Sequence, residues 1–194
     1  MAKYGVTDSD LQLMLYNTNI PIHIMKAIME VESLGTGFDK KTGKILIQFE
    51  PHLFKRAFPK WMYFKNGVWS NNGVDVQSKE WLAFNEAFSV NAEKAMESTS
   101  IGLPQILGSH WKRLGFSDVH EMWNSFKESE LNQVKSLIKF ILTDQRLIKA
   151  IKTEDWNLFA SVYNGSGYKK LAQKLGTVPY DEKIRIAVQK HKKR

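Results

Sequence analysis

The chain contains no cysteine among its 194 residues. This absence excludes disulfide scaffolds, thiolate metal sites and cysteine nucleophiles. The length suits one domain spanning 1–194, large enough to bury a core without such cross-links. No metal or organic cofactor is expected, because HExxH and similar ligand spacings are missing among the five histidines, residues 23, 52, 110, 120 and 191.

Long apolar segments are also missing. The densest apolar run, Leu137–Leu142, is interrupted by Lys139 and is far too short to span a membrane. The N-terminal residues, Met1–Asp8, lack the apolar region of a secretory signal peptide. We therefore expect a protein made in the cytoplasm, with no signal peptide and no stable membrane insertion. Action outside the cytoplasm would need a separate delivery route.

Acidic residues are outnumbered by basic ones, 20 to 28, which gives a net charge of +8. Such a surface favours polyanions: nucleic acid, anionic lipid or the acidic glycopeptide of bacterial cell walls. The charge is dense only in 191–194, which we expect to form a disordered tail. No zinc-finger, RNA-recognition or helix-turn-helix signature accompanies it, so no nucleic-acid partner is expected.

Helical periodicity dominates the pattern of apolar residues. One helix begins after Asn19 with Pro21 in its first turn, where a missing N–H costs little. Its apolar positions, Ile24, Ala27, Ile28 and Val31, repeat at the helical period. Two further helices are predicted to begin after Thr7 and after Pro104. Five more are predicted over Ser78–Ala95, 117–128, 129–152, 155–163 and Asp181–Lys190.

A short section has β character. Residues 45–50 predict a strand that stops at Pro51, with Ile45, Ile47 and Phe49 on its more apolar face. Asn66-Gly67, between β-prone segments, predicts a two-residue hairpin turn. The fold class is therefore mainly α (α+β), a helical domain with a small inserted β-hairpin subdomain.

The segment "EVES" places two glutamates two residues apart near the end of a predicted helix. Residues at i, i+4 and i+8 share a face, so Glu32 prolongs the apolar line of Ile24 and Ile28. Glu30 instead follows Lys26, an ordinary surface pair. Burial and the helix C-terminus both raise the pKa of a carboxyl at the edge of the core, which suits protonation of a glycosidic oxygen. Periodicity alone still favours a capping or structural role for Glu32.

Two further carboxylates are candidates. Glu50 ends the less apolar face of the predicted strand with His52 close behind, and its alternative role is an exposed charge at a sheet edge. Glu97 lies just before a turn.

Polar residues at two predicted helix ends complete the set. The break 100–104 places Gln105 early in a helix, where it could reach a ligand. Tyr163-Asn164 ends another helix with an aromatic ring and an amide, which can stack on a sugar and hydrogen-bond it. Taken singly, either group of residues is more often a helix cap beside a core aromatic residue than a ligand-binding site.

Four segments in this order resemble the N-acetylmuramidase family of phage endolysins: "AIMEVESLGTGF", "ILIQFEPHLFKR", "STSIGLPQILG" and "FASVYNGSGY". The family is related to goose-type lysozymes and soluble lytic transglycosylases, and the resemblance runs from about Ile24 to Tyr168. It implies a lysozyme-like fold and hydrolysis of the β-1,4 bond between N-acetylmuramic acid and N-acetylglucosamine. A monomer acting on periplasmic peptidoglycan after holin-type or other export is expected.

The resemblance also implies roles for particular residues. Glu32 corresponds to the general acid, and Glu50 to a second functional carboxylate or a substrate-side residue. Substrate-binding residues would be His52, Ser100, Gln105, Tyr163 and Asn164, with Trp61, Tyr63 and Trp69 on the opposite wall. The chain departs from the family pattern at Ile101, where an aromatic is more frequent, at Pro104, where a larger side chain is usual, and in having "FEPH" in place of "FERH".

Several alternatives stay open. A lytic transglycosylase would use the same acid but form 1,6-anhydro products, and a secreted antibacterial effector would share the chemistry. An inactive basic module that binds cell wall or nucleic acid is the alternative outside the enzymes. A carboxyl separation of about 5 Å would predict a retaining route and roughly 6.5–9.5 Å an inverting one. The second carboxylate is open between Glu50, Glu97 and none.

Overall fold

The computed structural model describes residues 3–33, 35–61 and 76–193. By its internal contacts the chain divides into two units, one of Met1–Gly5 with Thr36–Val134 and one of Val6–Gly35 with Lys135–Arg194. The predicted hairpin around Asn66-Gly67 lies outside the described residues. Within the described part of the chain, no helix is both long enough and apolar enough to cross a membrane.

The described residues are mainly α-helical with one small sheet, as the sequence predicts. The sheet is antiparallel, with strand order β1-β2-β3. In chain order the elements are α1 (Asp8–Leu15), α2 (Ile22–Ser33), β1 (Ile47–Phe49), α3 (Pro51–Ala57), α4 (Gln77–Val90), α5 (Ala92–Glu97), β2 (Thr99–Ile101), β3 (Ile106–Leu107), a 3-10 turn (Gly108–His110), α6 (Val119–Glu128), α7 (Glu130–Leu142), α8 (Gln145–Thr153), α9 (Trp156–Tyr163), α10 (Tyr168–Leu175) and α11 (Tyr180–Lys192).

The first unit is built around the sheet. Strand β1 lies within the predicted segment 45–50, and its two outer residues are buried while Gln48 is exposed, so the predicted alternation is confirmed. Pro51 ends the strand and begins α3, a helix that the sequence reading missed. Proline favours this position because the first helical N–H has no partner to lose.

The helix predicted to begin after Pro104 is wrong. The chain forms a β2–β3 hairpin there, in which Ile101 pairs with Ile106. Gly102 and Gln105 both adopt positive φ, 71° and 47°. A residue in this left-handed region cannot continue a right-handed helix, so Gln105 lies in a tight turn and not in the first turn of a helix.

The described residues of the second unit form helices and the turns that connect them. Helix α2 packs mainly against α11, and Ile24, Ala27 and Ile28 are fully buried, as their spacing predicts. The helix predicted over 129–152 is two helices, because Asp144 accepts the N–H of Arg146 and begins α8. The expected disordered tail is wrong for its first residues: His191 and Lys192 belong to α11 and pair with Glu30 and Glu154.

The close approach of Gly108 to the backbone of α5 gives a test of the packing in the first unit. A Cβ added at Gly108 would lie 2.1 Å from the carbonyl oxygen of Met96. We expect Gly108→Ala to destabilise the protein by roughly 1–3 kcal/mol, because the backbone must shift. Thermal unfolding followed by circular dichroism measures the change.

Gly167→Ala is the matched control, since a Cβ at Gly167 meets nothing within 4 Å and its φ is −84°. This variant should melt at or slightly above the wild-type temperature. Equal melting temperatures for the two variants would contradict the packing argument.

Candidate active site

Glu32 lies in the last turn of α2, on the face that carries the buried Ile24 and Ile28. The hydroxyl group of Tyr180, the first residue of α11, donates a hydrogen bond to Oε1 of Glu32. The helical phase that separates Glu32 from Glu30 is thus reflected in its surroundings. Tyr180 is a residue that the sequence reading missed.

Two tyrosine rings stack beside this carboxyl group. The ring of Tyr163 lies 6.3 Å from that of Tyr180, at an interplanar angle of 17°, and 5.3 Å from that of Phe159. Asn164 follows Tyr163 with an exposed side chain, and its backbone N–H caps α9 by donating to Ala160. The second unit therefore brings together three of the predicted residues, Glu32, Tyr163 and Asn164.

The surroundings of Glu32 favour its protonated form. Burial raises the pKa of Glu32 to about 7, while the hydrogen bond from Tyr180 and the charge of Lys183 act in the opposite direction. Burial, followed by the negative charge of Glu32, raises the pKa values of Tyr163 and Tyr180 well above the usual range. Near neutral pH the site therefore holds a carboxyl group poised to release a proton, beside phenols that stay neutral.

Glu30 has a different environment. Its carboxylate accepts hydrogen bonds from Lys190 at 2.8 Å and lies 2.8 Å from Nε2 of His191. The bond from Lys190 is the largest influence holding the pKa of Glu30 below its usual range. The predicted pairing of Glu30 with Lys26 is wrong, since Lys26 binds Asp8 at 2.6 Å. Glu30 thus serves to join α2 to α11.

The first unit carries a second group of predicted residues. Glu50 directly follows β1, is partly buried, and donates its N–H to the carbonyl of Ser98 at 2.8 Å. Burial raises the pKa of Glu50, and its Oε2 lies 3.4 Å from Nδ1 of His52. The His52 side chain is 54% exposed, so it can reach a ligand.

A buried carboxyl group that the sequence reading missed lies beside this strand. Glu80 in α4 is 2% exposed and accepts the backbone N–H of Phe49 at 2.8 Å. Burial raises its pKa to about 7, and the charge of Glu50 adds to the effect. The sequence does contain a signal for this burial: Glu80 precedes Phe84 by four residues, which places it on the apolar face of the predicted helix. The same i, i+4 spacing places Glu32 on the apolar face of α2.

The remaining candidates in the first unit are held by local bonds. Glu97 binds Lys94 at 2.5 Å and accepts from Nε1 of Trp111 at 3.2 Å. Ser100 lies in the central strand, opposite Gln48 and Leu107. Gln105 donates its side-chain N–H to the carbonyl of Gly102 at 2.7 Å, which closes its own turn.

The aromatic wall is described in part. Trp61 packs edge-on against Phe49 and Phe54, with ring centroids 5.8 and 4.9 Å apart. Tyr63 and Trp69 lie outside the described residues. In the part of the chain that the structure describes, no three His, Asp or Glu side chains cluster closely enough to hold a metal ion.

Comparisons with known proteins match most of the chain to one family. Residues 21–192 match the family model described as N-acetylmuramidase. The chain is also similar to the crystal structure of the Burkholderia AP3 phage endolysin, with a TM-score of 0.77 and 30% identity. That match covers 97% of this chain and 71% of the other. A comparison with curated proteins gives no match.

The hydrogen bond from Tyr180 gives a test of the site that does not depend on activity. Because this bond lowers the pKa of Glu32, its removal in Tyr180→Phe should move that pKa above 7. Carbon-13 NMR titration of the Glu32 carboxyl group measures the change. Tyr16→Phe, at a residue that is 84% exposed, should leave the titration unaltered. An unchanged or lower pKa in Tyr180→Phe would refute the assignment.

Proposed function

Because the chain belongs to the N-acetylmuramidase family, with the fold of a lysozyme-like peptidoglycan hydrolase, we propose that Glu32 is its general acid. In this proposal Glu32 protonates the oxygen that links N-acetylmuramic acid to N-acetylglucosamine. The observation that carries the proposal is the half-buried Glu32 carboxyl group at the end of α2, which accepts a hydrogen bond from Tyr180. Burial raises its pKa to about 7. A general acid works best when its pKa lies near the operating pH.

Tyr180 has a defined part in this step. Its hydroxyl group donates a hydrogen bond to Oε1 of Glu32, which leaves Oε2 as the oxygen that carries the proton. The proton moves to the glycosidic oxygen as the bond to the sugar carbon breaks and an oxocarbenium-like centre develops. Glu32 then becomes a carboxylate, and a hydrogen bond to a charged acceptor is stronger than one to a neutral acceptor. Tyr180 thus stabilises the product of the proton transfer more than the starting acid.

Glu50 is the carboxylate that we assign to the second role, orienting the attacking water or contacting the substrate. The competing carboxyl groups are engaged elsewhere: Glu80 accepts a backbone N–H, and Glu97 is bound by a lysine and a tryptophan. Among the described residues, the polar side chains near Glu50 are His52, at 3.4 Å and largely exposed, and the buried Glu80, whose pKa the charge of Glu50 raises. This leaves the Glu50 carboxyl group available to a ligand.

The glycan-binding residues in this proposal are Tyr163 and Asn164 in the second unit, with His52, Ser100 and Gln105 in the first. The ring of Tyr163 is half-buried and stacks against Phe159 and Tyr180, so only its remaining exposed part would meet a sugar. The exposed amide of Asn164 offers both a donor and an acceptor. Gln105 uses one side-chain N–H within its own turn, so its side-chain carbonyl and its second N–H are left for a sugar hydroxyl.

We assign both units to a single catalytic domain because the family match extends across them. The similar Burkholderia phage protein is an endolysin, so we infer that this chain also lyses bacterial cell walls, as a monomer without a nucleic-acid partner. It would reach the periplasmic peptidoglycan by holin-type or other export.

The two glutamates of "EVES" provide the sharpest test of the acid. Glu32→Gln should reduce lysis at least about 100-fold, because the proton donor is removed. Lysis is measured as the fall in turbidity of permeabilised Gram-negative cells. Glu30→Gln is the matched control and should keep most activity, since partly exposed ion pairs contribute little to stability.

The stability of Glu32→Gln has a predicted sign. The folded-state pKa of Glu32 lies above its ordinary value of 4.5, so its stabilising contribution is complete below 4.5 and is lost as pH rises through about 7. A glutamine at this position does not ionise, so Glu32→Gln avoids this loss of stability and should melt no lower than wild type at pH values above 7.

In the lysis assay, a fully active Glu32→Gln protein would exclude Glu32 as the acid.

The products separate hydrolysis from transglycosylation. Hydrolysis adds water and leaves reducing-end muramic acid, whereas a lytic transglycosylase closes a 1,6-anhydro ring and releases products lighter by one water. We expect reducing-end muropeptides when digested peptidoglycan is analysed by mass spectrometry. Anhydro products as the main species would favour the alternative.

A further inference from the structure

The first turns of α7 carry a buried amide that the proposed mechanism does not use. Gln133 is 0% exposed. Its Oε1 accepts the backbone N–H of Leu103 at 2.7 Å, and its Nε2 donates to the carbonyl of Phe126 at 2.7 Å. One side chain therefore links the end of α6 to the turn between β2 and β3. Both bonds are buried, where an unpaired partner is costly.

Two glycines enclose this amide. A Cβ at Gly37 would lie 1.9 Å from Oε1 of Gln133, and a Cβ at Gly102 would lie 2.8 Å from its Cδ. The segment at Gly37 is itself held, because its N–H donates to the buried carboxylate of Glu130 at 2.6 Å. The amide of Gln133 thus occupies a slot that only glycine leaves open on these two sides.

The turn above the slot has strained backbone. Gln105 adopts a φ of 47°, an uncommon conformation for a residue other than glycine. Such a conformation persists only when the surrounding structure holds it. Backbone bonds join Gln105 to Gly102 and Gly102 to Leu46. Side-chain bonds add to them: the side chain of Gln105 closes the turn through Gly102, and Gln133 anchors it through Leu103, which is fully buried.

We propose that Gln133 is a positioning residue, which holds the turn 102–105 in the conformation that binds glycan and acts through Leu103 without touching the substrate. This inference rests on the proposed function, in which Gln105 contacts the sugar. Binding of glycan, and not only the stability of the fold, then depends on a side chain beneath the turn.

The position requires an acceptor and a donor at once, which makes the inference testable by substitution. Methionine has a similar size but provides neither strong group. A protonated glutamic acid provides both, because its carbonyl oxygen can accept from Leu103 and its hydroxyl can donate to Phe126. A carboxylate can only accept. Gln133→Glu should therefore position the turn at acidic pH and fail to do so as pH rises.

The experiment measures binding of a soluble peptidoglycan tetrasaccharide by calorimetry, with Glu32→Gln as the parent so that the glycan stays intact. Adding Gln133→Met should weaken binding about tenfold, the effect of losing one buried hydrogen bond. Because position 133 is fully buried, the pKa of an introduced carboxyl group should be raised well above its ordinary value. Adding Gln133→Glu should therefore bind like the parent near pH 5 and progressively less well than the parent toward pH 8, as that group ionises.

A second variant disturbs the Gln133 amide from the side of Gly37. Gly37→Ala leaves the turn residues unchanged but displaces Oε1 of Gln133, so it should weaken binding as Gln133→Met does. In both variants the amide hydrogen of Leu103 should exchange with solvent faster than in the parent.

The control is the neighbouring amide, Asn132. Its Nδ2 donates to the carbonyl of Ser125 at 3.2 Å, so Asn132→Leu disturbs the same end of α6 without reaching the turn. Its glycan binding and Leu103 exchange should equal those of the parent.

The outcomes are distinguishable. A parent that binds glycan and keeps its affinity after Gln133→Met, with only a lower melting temperature, overturns the inference alone. Equal losses in Gln133→Met and Asn132→Leu also overturn it. A parent that binds no glycan overturns the proposed function, and this inference with it.

Discussion

The packing of α11 against α2 is the constraint on which the second unit depends. Buried apolar side chains of both helices, among them Ile28 and Ile184, stabilise this contact. The same pairing places Tyr180 at the carboxyl group of Glu32 and Lys190 at that of Glu30. One helix therefore gives two neighbouring glutamates opposite pKa shifts: burial raises that of Glu32, and ion pairing lowers that of Glu30.

The first unit is stabilised differently, since the strands in its described residues are only two or three residues long and pair few backbone groups. Buried backbone N–H and C=O groups need partners. Side chains supply them: Gln77 bonds both the N–H and the carbonyl of Ile47, and Glu80 accepts from Phe49. Gln133 does the same for the β2–β3 turn. The residues proposed to meet substrate thus rest on polar side chains from helices, of which Glu80 and Gln133 are buried and Gln77 is half-buried.

Sequence reasoning succeeded where a local period decides the outcome. Helical phase separated Glu32 from Glu30, and strand alternation gave the correct burial of Ile47 and Phe49. It failed at the turn 102–105, because a proline before an apolar run suggests a helix start as readily as a hairpin. Glutamine rarely adopts a positive φ, so the residue type at position 105 did not indicate the turn.

Local pattern by itself determined the mainly helical class and the four segments that carry the family resemblance, and it set Glu32 apart from Glu30 as the proposed acid. Each of these depends on residues close together in the chain. Tertiary structure alone decided which partner each carboxyl group meets. Tyr180 is 148 positions from Glu32, and Lys190 is 160 positions from Glu30. Contacts over such separations are created when the helices pack, and they leave no periodic trace in the sequence. The protonation of Glu32 therefore depends on a fold whose individual helices the sequence could indicate but whose contacts it could not.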